Sequence, residues 1–357
     1  MHIKRSAALA AAVLLAAAAC SSEEPGGASE ERYYLSLGDS LAVGVQPDGE
    51  GGFEETTDGY TDALYRTLKD ERPSLRHERM GCGGEDTTTF KDGGLELCGE
   101  RYTEGTQLAQ AERFLEEHRG EVELVTVDIG GNNFTGCVDL GDGGPEVPEG
   151  AAAEPEESGE DADSGDGADG GGDDGGDGGT PDVELDRDCV EDGLERLEEE
   201  VPEITSRLRA AAGPDVQIIG MTYYNPFLAA MLLEDSGADG ADGDEDGGDE
   251  DGGDGEGGDA PAEDEMVDYA TDVLVEMNDI LRSSYNDAGM QVADVEESFE
   301  SQNFEVPEDG DSDMPTNVQY ICDYTWMCNT QDGPDIHTNQ AGAQYIAQTF
   351  ERLVEAG

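Results

Sequence analysis

Two hydrophobic periodicities alternate along this chain. Short apolar runs that end in turn residues are typical of buried strands, and they occur at 32–40, 75–84, 122–133, 215–227 and 290–299. Segments with apolar residues at helical spacing separate these runs, at 60–72, 106–120, 189–212, 266–289 and 338–356. Repeated strand and helix units predict an α/β fold in which helices cover both faces of a parallel sheet.

Two acidic tracts interrupt this pattern. Residues 141–182 contain 15 acidic residues and residues 234–265 contain 16, and neither tract contains a lysine or an arginine. Such segments bury too little apolar surface to offset the entropy lost on ordering, and their like charges repel. We therefore predict two disordered insertions within one folded domain that spans residues 33–357.

The charge of the chain excludes one class of partner. The formal net charge is −70, and more than half of it lies outside the two tracts. Only three lysines are present: Lys4, Lys69 and Lys91. A nucleic-acid partner requires cationic side chains that neutralise phosphates, so we predict that this protein does not bind nucleic acid.

The first 20 residues have the pattern of an export signal. A basic start, "MHIKR", precedes an apolar run that is too short to span a bilayer as a stable helix, and Cys20 follows at once. Small residues directly before a cysteine resemble a bacterial lipobox, although Ala17 stands where that motif prefers leucine. The resemblance implies a signal peptide at 1–19, a lipid on Cys20 and a polar tether at 20–32 on the outer face of the cell membrane. The alternative is an ordinary secretory signal and a secreted protein.

Six cysteines remain if Cys20 carries lipid. An even number of cysteines in an exported protein indicates disulfides, and six allow 15 pairings. Pairing of sequence neighbours is the simplest arrangement, and it gives Cys82–Cys98, Cys137–Cys189 and Cys322–Cys328. Metal binding is the competing use of cysteine, but the chain has no CxxC pair with a histidine nearby, so we predict no metal site.

Four turns are expected at the carboxyl edge of the sheet, where parallel sheets place their ligand sites. They are "GDS" at 38–40, "GCGGED" at 81–86, "GGNN" at 130–133 and "GPDIH" at 333–337. Ser40 offers a hydroxyl, which is a weak nucleophile unless a base lies within hydrogen-bond reach. The backbone N–H groups of Ser40 and Gly84 and the side-chain amide of Asn132 can donate to an oxyanion. A lone Gly-Asp-Ser would equally suit an ordinary turn.

Elimination among the four histidines favours one base. His2 lies in the predicted signal, His77 lies within a predicted strand, and His118 lies in the charged end of a helix. His337 stands in a loop at the head of the last helix, on the expected edge of the sheet. We therefore predict that His337 is the general base for Ser40.

The four turns, in this order, resemble the four sequence blocks of the SGNH/GDSL hydrolase family. The resemblance covers most of 33–134 and 183–355. Two further segments, "GMTYYNPFLAA" and "ICDYTWMC", resemble the secreted actinobacterial members, which have three sequential disulfides and so support the neighbour pairing.

The resemblance implies a fold, an activity and roles for residues. The fold would be a flavodoxin-like, three-layer α/β/α sandwich, with esterase or lipase activity and neither a cofactor nor a metal. Ser40 would be the nucleophile, His337 the general base, and Gly84 and Asn132 oxyanion donors.

Two positions depart from the family pattern. Asn133 stands where the third block commonly has aspartate, and Pro334 occupies the usual position of the triad aspartate. Asp335 lies two residues before His337 instead of three. Either Asp335 or a backbone carbonyl near Pro334 could orient the imidazole, and the shifted register favours the carbonyl.

The sequence thus predicts a monomeric serine esterase or lipase that hydrolyses carboxylic esters through a Ser-His acyl-enzyme at the outer cell surface. One alternative of the same fold is an O-deacetylase of cell-wall polysaccharide. Another alternative, from a different class, is a non-catalytic surface lipoprotein whose acidic tracts collect cations. The Gly-Asp repeats lack the ligand spacing of an EF-hand, which favours diffuse counterion binding over a calcium site.

Overall fold

The computed structural model describes residues 31–139, 184–225, 263–307, 314–329 and 335–355. The predicted signal peptide, Cys20, the tether as far as residue 30, the tract 141–182 and residues 234–262 of the second tract lie outside the described residues.

The strands that follow the predicted apolar runs form one parallel sheet. In chain order the strands are β1 Arg32–Gly38, β2 Val45–Pro47, β3 Phe53–Glu55, β4 Leu75–Arg79, β5 Val122–Asp128, β6 Val138–Asp139, β7 Glu184–Leu185, β8 Gln217–Met221 and β9 Gln291–Ala293. The sheet has the order β4-β1-β5-β8-β9, and each neighbouring pair is parallel. Counted among these five strands alone, the order is 2-1-3-4-5, which is the flavodoxin-like arrangement. The strands β2 and β3 form an antiparallel hairpin, and β6 and β7 pair with each other in antiparallel orientation.

Helices cover this sheet in two groups. In chain order they are α1 Ser40–Val43, α2 Tyr60–Glu71, α3 Thr87–Asp92, α4 Glu96–Gly99, α5 Gln107–Glu117, α6 Arg187–Ala212, α7 Glu263–Asp287, α8 Val295–Ser298, α9 Thr316–Tyr324 and α10 Gln340–Glu351. The helix α2 packs against α10, whereas α5, α6 and α7 pack side by side. Right-handed crossovers place these groups on opposite faces of the sheet. The predicted three-layer α/β/α sandwich is confirmed.

Several elements differ from the sequence prediction. The run 290–299 is a strand only as far as Ala293, because the Asp294 side chain accepts the Glu297 N–H at 3.0 Å and starts the helical turn α8. The helix α7 begins at Glu263, three residues inside the tract predicted to be disordered. The β2–β3 hairpin and the helices α3, α4 and α9 were not predicted, since elements this short carry little periodic signal.

The three predicted disulfides are confirmed, and each one braces a loop near the carboxyl edge or a helix end. They are Cys82–Cys98, Cys137–Cys189 and Cys322–Cys328. The first joins the turn after β4 to α4, the second joins the turn after β5 to the start of α6, and the third closes a short loop at the end of α9. None of the helices in the described parts of the chain combines the length and the apolar character that a membrane span requires.

Candidate active site

Ser40 is the first residue of α1 and follows β1 through a single residue, Asp39. The Asp39 carboxylate caps the helix by accepting the N–H of Leu41 at 2.9 Å. The serine is partly buried, at the carboxyl edge of the sheet. Because the first N–H groups of a helix have no partner within the helix, this turn can offer donors beside the serine hydroxyl.

The glycine turn after β4 lies against Ser40. A methyl group at Gly83 would already contact Ser40 Cβ at 3.8 Å, so a larger side chain there would crowd the serine. Gly84 has a φ of +84°, a left-handed conformation that side chains other than glycine rarely adopt. The disulfide from Cys82 to α4 holds this turn in place.

The third turn brings Asn132 to the glycine turn. This residue lies in a short 3₁₀ helix, Gly131–Phe134, directly after β5. Its Nδ2 donates to the backbone carbonyl of Glu85 at 3.0 Å, which fixes the amide beside Gly84. Asn133, which departs from the family pattern, is buried, and its Oδ1 accepts the Thr87 N–H at 3.0 Å. Asn133 therefore joins two turns rather than facing the site.

His337 lies in the loop before α10 and has a carboxylate partner. Its Nδ1 lies 2.8 Å from Oδ1 of Asp335, a side chain that is 3% exposed. The loop is held by the Tyr224 hydroxyl, which donates to the Ile336 carbonyl at 2.7 Å, and by the Trp326 N–H, which donates to the His337 carbonyl at 3.0 Å. The imidazole is thus oriented before any substrate binds.

The carboxylate contact differs from the arrangement that the sequence favoured, in which a backbone carbonyl near Pro334 holds the ring. Pro334 lies outside the described residues. The Oδ1 atom of Asp335 also accepts the backbone N–H of His337, at 2.6 Å. An aspartate that accepts the backbone N–H two residues later forms an Asx turn. Here the Asx turn places the carboxylate of Asp335 beside the imidazole of His337. The two-residue spacing is therefore compatible with an Asp-His pair.

Two buried carboxyl groups lie beneath the serine turn. Asp39 and Asp128 are 2% and 0% exposed, and they lie close enough for each carboxyl group to shift the pKa of the other. Burial raises the pKa of both groups, and the neighbouring Asp39 charge raises the pKa of Asp128 further. Hydrogen bonds from the Leu41 N–H and the Tyr223 hydroxyl act in the opposite direction on the pKa of Asp39.

A glutamine that lies outside the four predicted turns binds the end of the strand that leads to the serine. The Gln107 Oε1 accepts the Gly38 N–H at 2.7 Å, and its Nε2 donates to the Gly38 carbonyl at 3.0 Å. The same Nε2 donates to the carboxyl group of Glu85, and burial raises the pKa of Glu85 to about 8. Gln107 thus couples the first turn to the second. A glutamine at the start of a helix gives no local signal of this role.

An apolar ring lies beside the imidazole. Phe53, in the β2–β3 hairpin, has its ring centroid 5.6 Å from that of His337 and is 38% exposed. Phe53 belongs to none of the four predicted turns, although it is the one aromatic residue of the polar stretch 48–58. An exposed aromatic face at this place can contact an apolar part of a substrate.

The four predicted turns therefore supply the parts of an acyl-transfer site. Gly83 lies against Ser40, and Asn132 donates to the carbonyl of Glu85 in the same glycine turn. His337 pairs with Asp335 and lies beside Phe53 of the hairpin that follows α1. Within the described ranges, no group of three or more histidine, cysteine, aspartate and glutamate side chains is arranged to hold a metal ion.

Comparisons with known proteins give one family match and several similar solved structures. The model of the GDSL-like lipase/acylhydrolase family matches residues 36–345. Similar solved structures include an extracellular lipase from Streptomyces rimosus, at 14% identity and a TM-score of 0.42, over 90% of this chain and 99% of that chain. A phospholipase A1 from Streptomyces albidoflavus is similar at 12% identity and a TM-score of 0.41, over 90% of this chain and 99% of that chain. A carbohydrate acetylesterase from Sinorhizobium meliloti is similar at 9% identity and a TM-score of 0.40, over 91% of this chain and 98% of that chain. No curated protein matches the sequence.

Proposed function

Because the family match spans residues 36–345, this chain belongs to the GDSL-like lipase/acylhydrolase family and is a carboxylic ester hydrolase, and we propose that it acts through an acyl-enzyme on Ser40. The observation that carries the proposal is the buried Asp335 carboxylate 2.8 Å from Nδ1 of His337, an imidazole that lies beside the hairpin directly following the Ser40 helix. A carboxylate at Nδ1 selects the tautomer whose Nε2 is free to accept the serine proton.

The proposed reaction has two halves. The Ser40 oxygen attacks the ester carbonyl carbon while His337 Nε2 takes the hydroxyl proton, and the carboxylate of Asp335 stabilises the imidazolium that forms. The tetrahedral intermediate collapses, and the alcohol leaves with the proton from Nε2. Water then attacks the acyl-enzyme while His337 accepts a proton from this water. Collapse of the second intermediate breaks the bond between Ser40 Oγ and the acyl carbon, His337 returns the proton to Oγ, and the acid leaves.

The negative oxygen of each intermediate needs donors that are already in place. We assign this role to the N–H groups of Ser40 and Gly84 and to Nδ2 of Asn132. The amide of Asn132 uses one N–H on the Glu85 carbonyl, at 3.0 Å, and carries a second. A donor that is fixed before the reaction stabilises the developing charge without reorganising, and the loss of one such donor lowers kcat by about 10²- to 10³-fold.

The substrate is proposed to carry an apolar acyl or alcohol group longer than acetyl, because Phe53 presents an exposed ring beside His337. We expect Phe53→Ala to lower kcat/KM for p-nitrophenyl octanoate about tenfold and to leave the value for p-nitrophenyl acetate nearly unchanged. Removal of a partly exposed aromatic contact is worth about 1–2 kcal/mol to a ligand that uses it. The readout is kcat/KM across a chain-length series.

Phe304→Ala is the matched control, since Phe304 is 39% exposed and lines a groove beside Arg282 and Glu297, away from the serine. An equal loss on both esters in Phe53→Ala would contradict the assignment of this ring to the substrate. Activity confined to acetyl esters in the wild-type enzyme would favour the polysaccharide deacetylase instead.

The enzyme is proposed to be exported and held at the membrane by a lipid on Cys20. Three disulfides support export, because such bonds persist in oxidising compartments. We expect Cys20→Ser to shift esterase activity from the membrane fraction to the soluble fraction or the medium, whereas the neighbouring Ser22→Ala leaves it with the membrane. Soluble activity in the wild-type enzyme would favour an ordinary secretory signal.

A further inference from the structure

The two buried carboxyl groups under the serine turn are arranged as a pair. Asp128 ends β5 opposite Gly38 of β1, and a side chain at Gly38 would collide with the Asp128 carboxyl group. Glycine at position 38 therefore makes room for an acid directly below the turn. The second acid, Asp39, is the cap of the helix that begins at Ser40.

One of the four oxygens of the pair has no donor. The Asp39 oxygens accept the Leu41 N–H at 2.9 Å and the Tyr223 hydroxyl at 2.8 Å. Asp128 Oδ1 accepts the Tyr60 hydroxyl at 2.6 Å, and the backbone N–H of Asp39 also lowers the pKa of Asp128, but Asp128 Oδ2 is buried and receives no hydrogen bond from a donor in the described residues. An ionised oxygen in that position would be buried without a partner, whereas a protonated one can donate to Asp39.

The surroundings of the pair favour a single negative charge. The titratable groups that face the pair from neighbouring elements are one imidazole, that of His337, and five tyrosine hydroxyls. The tyrosines are Tyr34, Tyr60, Tyr223, Tyr224 and Tyr285. Burial and the charge of Asp39 hold the pKa of Asp128 well above its usual range. Hydrogen bonds from the Leu41 N–H and the Tyr223 hydroxyl favour ionisation of Asp39. The proton therefore belongs to Asp128.

We infer that Asp128 is a positioning residue that, as a neutral acid, donates a hydrogen bond to the Asp39 carboxylate and thereby fixes the cap from which Ser40 is presented. The inference rests on the proposed role of Ser40 as the nucleophile. Asp128 does not touch the reacting atoms. It acts through Asp39, whose carboxylate sets the backbone geometry at the start of α1.

The test compares Asp128→Asn with Asp128→Leu at neutral pH. Asparagine keeps an N–H that can donate to Asp39, so we expect kcat within about threefold of the wild-type value. Leucine has a similar size but no donor, so we expect kcat to fall about 10- to 100-fold with little change in KM, as a misplaced reacting group would cause. Equal kcat in the two variants, or a large loss in Asp128→Asn, would overturn the inference.

The dependence of stability on pH gives a second readout that does not rely on activity. The wild-type native state holds a proton on Asp128 that the unfolded chain releases above about pH 4, so the wild type should lose stability as the pH rises toward the native pKa. The Asn variant lacks this proton. The ratio of the unfolding equilibrium constant of the wild type to that of Asp128→Asn should therefore rise by up to about tenfold per pH unit above pH 4.

The free energy of unfolding of the wild type and of Asp128→Asn is plotted against pH between pH 4 and pH 7. Parallel plots would show that Asp128 is ionised in the native state, and the inference would fail. This outcome decides the question even if the leucine variant does not fold. Labelling of the wild type by a fluorophosphonate separates the two proposals. An unlabelled wild type contradicts the role of Ser40, whereas a labelled wild type with parallel curves contradicts only the role of Asp128.

Discussion

We expect Ser40→Ala to lower kcat for p-nitrophenyl esters by about 10⁵- to 10⁶-fold, the range seen when a nucleophile that acts with a base is removed. The oxyanion donors and the binding surface remain, so a small residual rate above that in water is expected. The fold should be unaffected, because Asp39 rather than Ser40 caps α1. Kinetics, Tm and mass spectrometry after fluorophosphonate treatment together measure these effects.

The matched control is Ser283→Ala, which removes an exposed serine from α7. This variant should retain full activity and a single phosphonate adduct. In the same assay, the kcat of Asn132→Ala should lie between those of Ser40→Ala and Ser283→Ala. We expect it to be about 10²- to 10³-fold below the wild-type value, because the substitution removes one oxyanion donor. Turnover by Ser40→Ala within tenfold of the wild type would refute the nucleophile assignment.

The second large effect is expected at Asp335. We expect Asp335→Asn to lower kcat by about 10³- to 10⁴-fold with an unchanged circular dichroism spectrum. The substitution removes the charge that stabilises the imidazolium, and an amide nitrogen turned toward Nδ1 would select the wrong tautomer. The Asx turn can still form, because asparagine also accepts the His337 N–H.

Asp323→Asn provides the control for this experiment, since Asp323 is an exposed carboxylate on α9 in the same part of the chain. Its kcat should match that of the wild type. A loss below about tenfold in Asp335→Asn, or about 1.4 kcal/mol of barrier, would show that another group orients the ring. The backbone carbonyl near Pro334 would then become the leading candidate, as the register of the motif suggested.

The order of elements and the identity of the four turns could be predicted because both depend on local properties. Apolar periodicity shows which residues of a strand or helix face the core, and glycine and asparagine mark the turns where the backbone must take a special conformation. The carboxyl ends of parallel strands share an edge, so placing each turn after a strand also places the candidate residues together. The disulfides were predictable for a similar reason, since each joins neighbouring cysteines along the chain.

Short elements and boundaries were less predictable. The segment 294–299 carries apolar residues that also suit a strand, but the Asp294 side chain caps a helical turn there. The β2–β3 hairpin has only three residues in each strand, too few for an alternating pattern to be recognised. It nevertheless carries Phe53 to the imidazole, and neither sequence spacing nor composition shows that contact.

The sequence by itself thus determined the layers and the order of the turns that carry the proposed nucleophile and base, because local periodicity and turn chemistry encode these features. The tertiary structure decided which groups support that chemistry. Gln107 meets Gly38 across 69 positions, and Asp128 meets Asp39 across neighbouring strands. Even for Asp335, only two residues from His337, the folded loop decides whether the carboxylate reaches the ring. A hydrogen bond depends on distance and direction in space, and a linear sequence specifies these only through the complete fold.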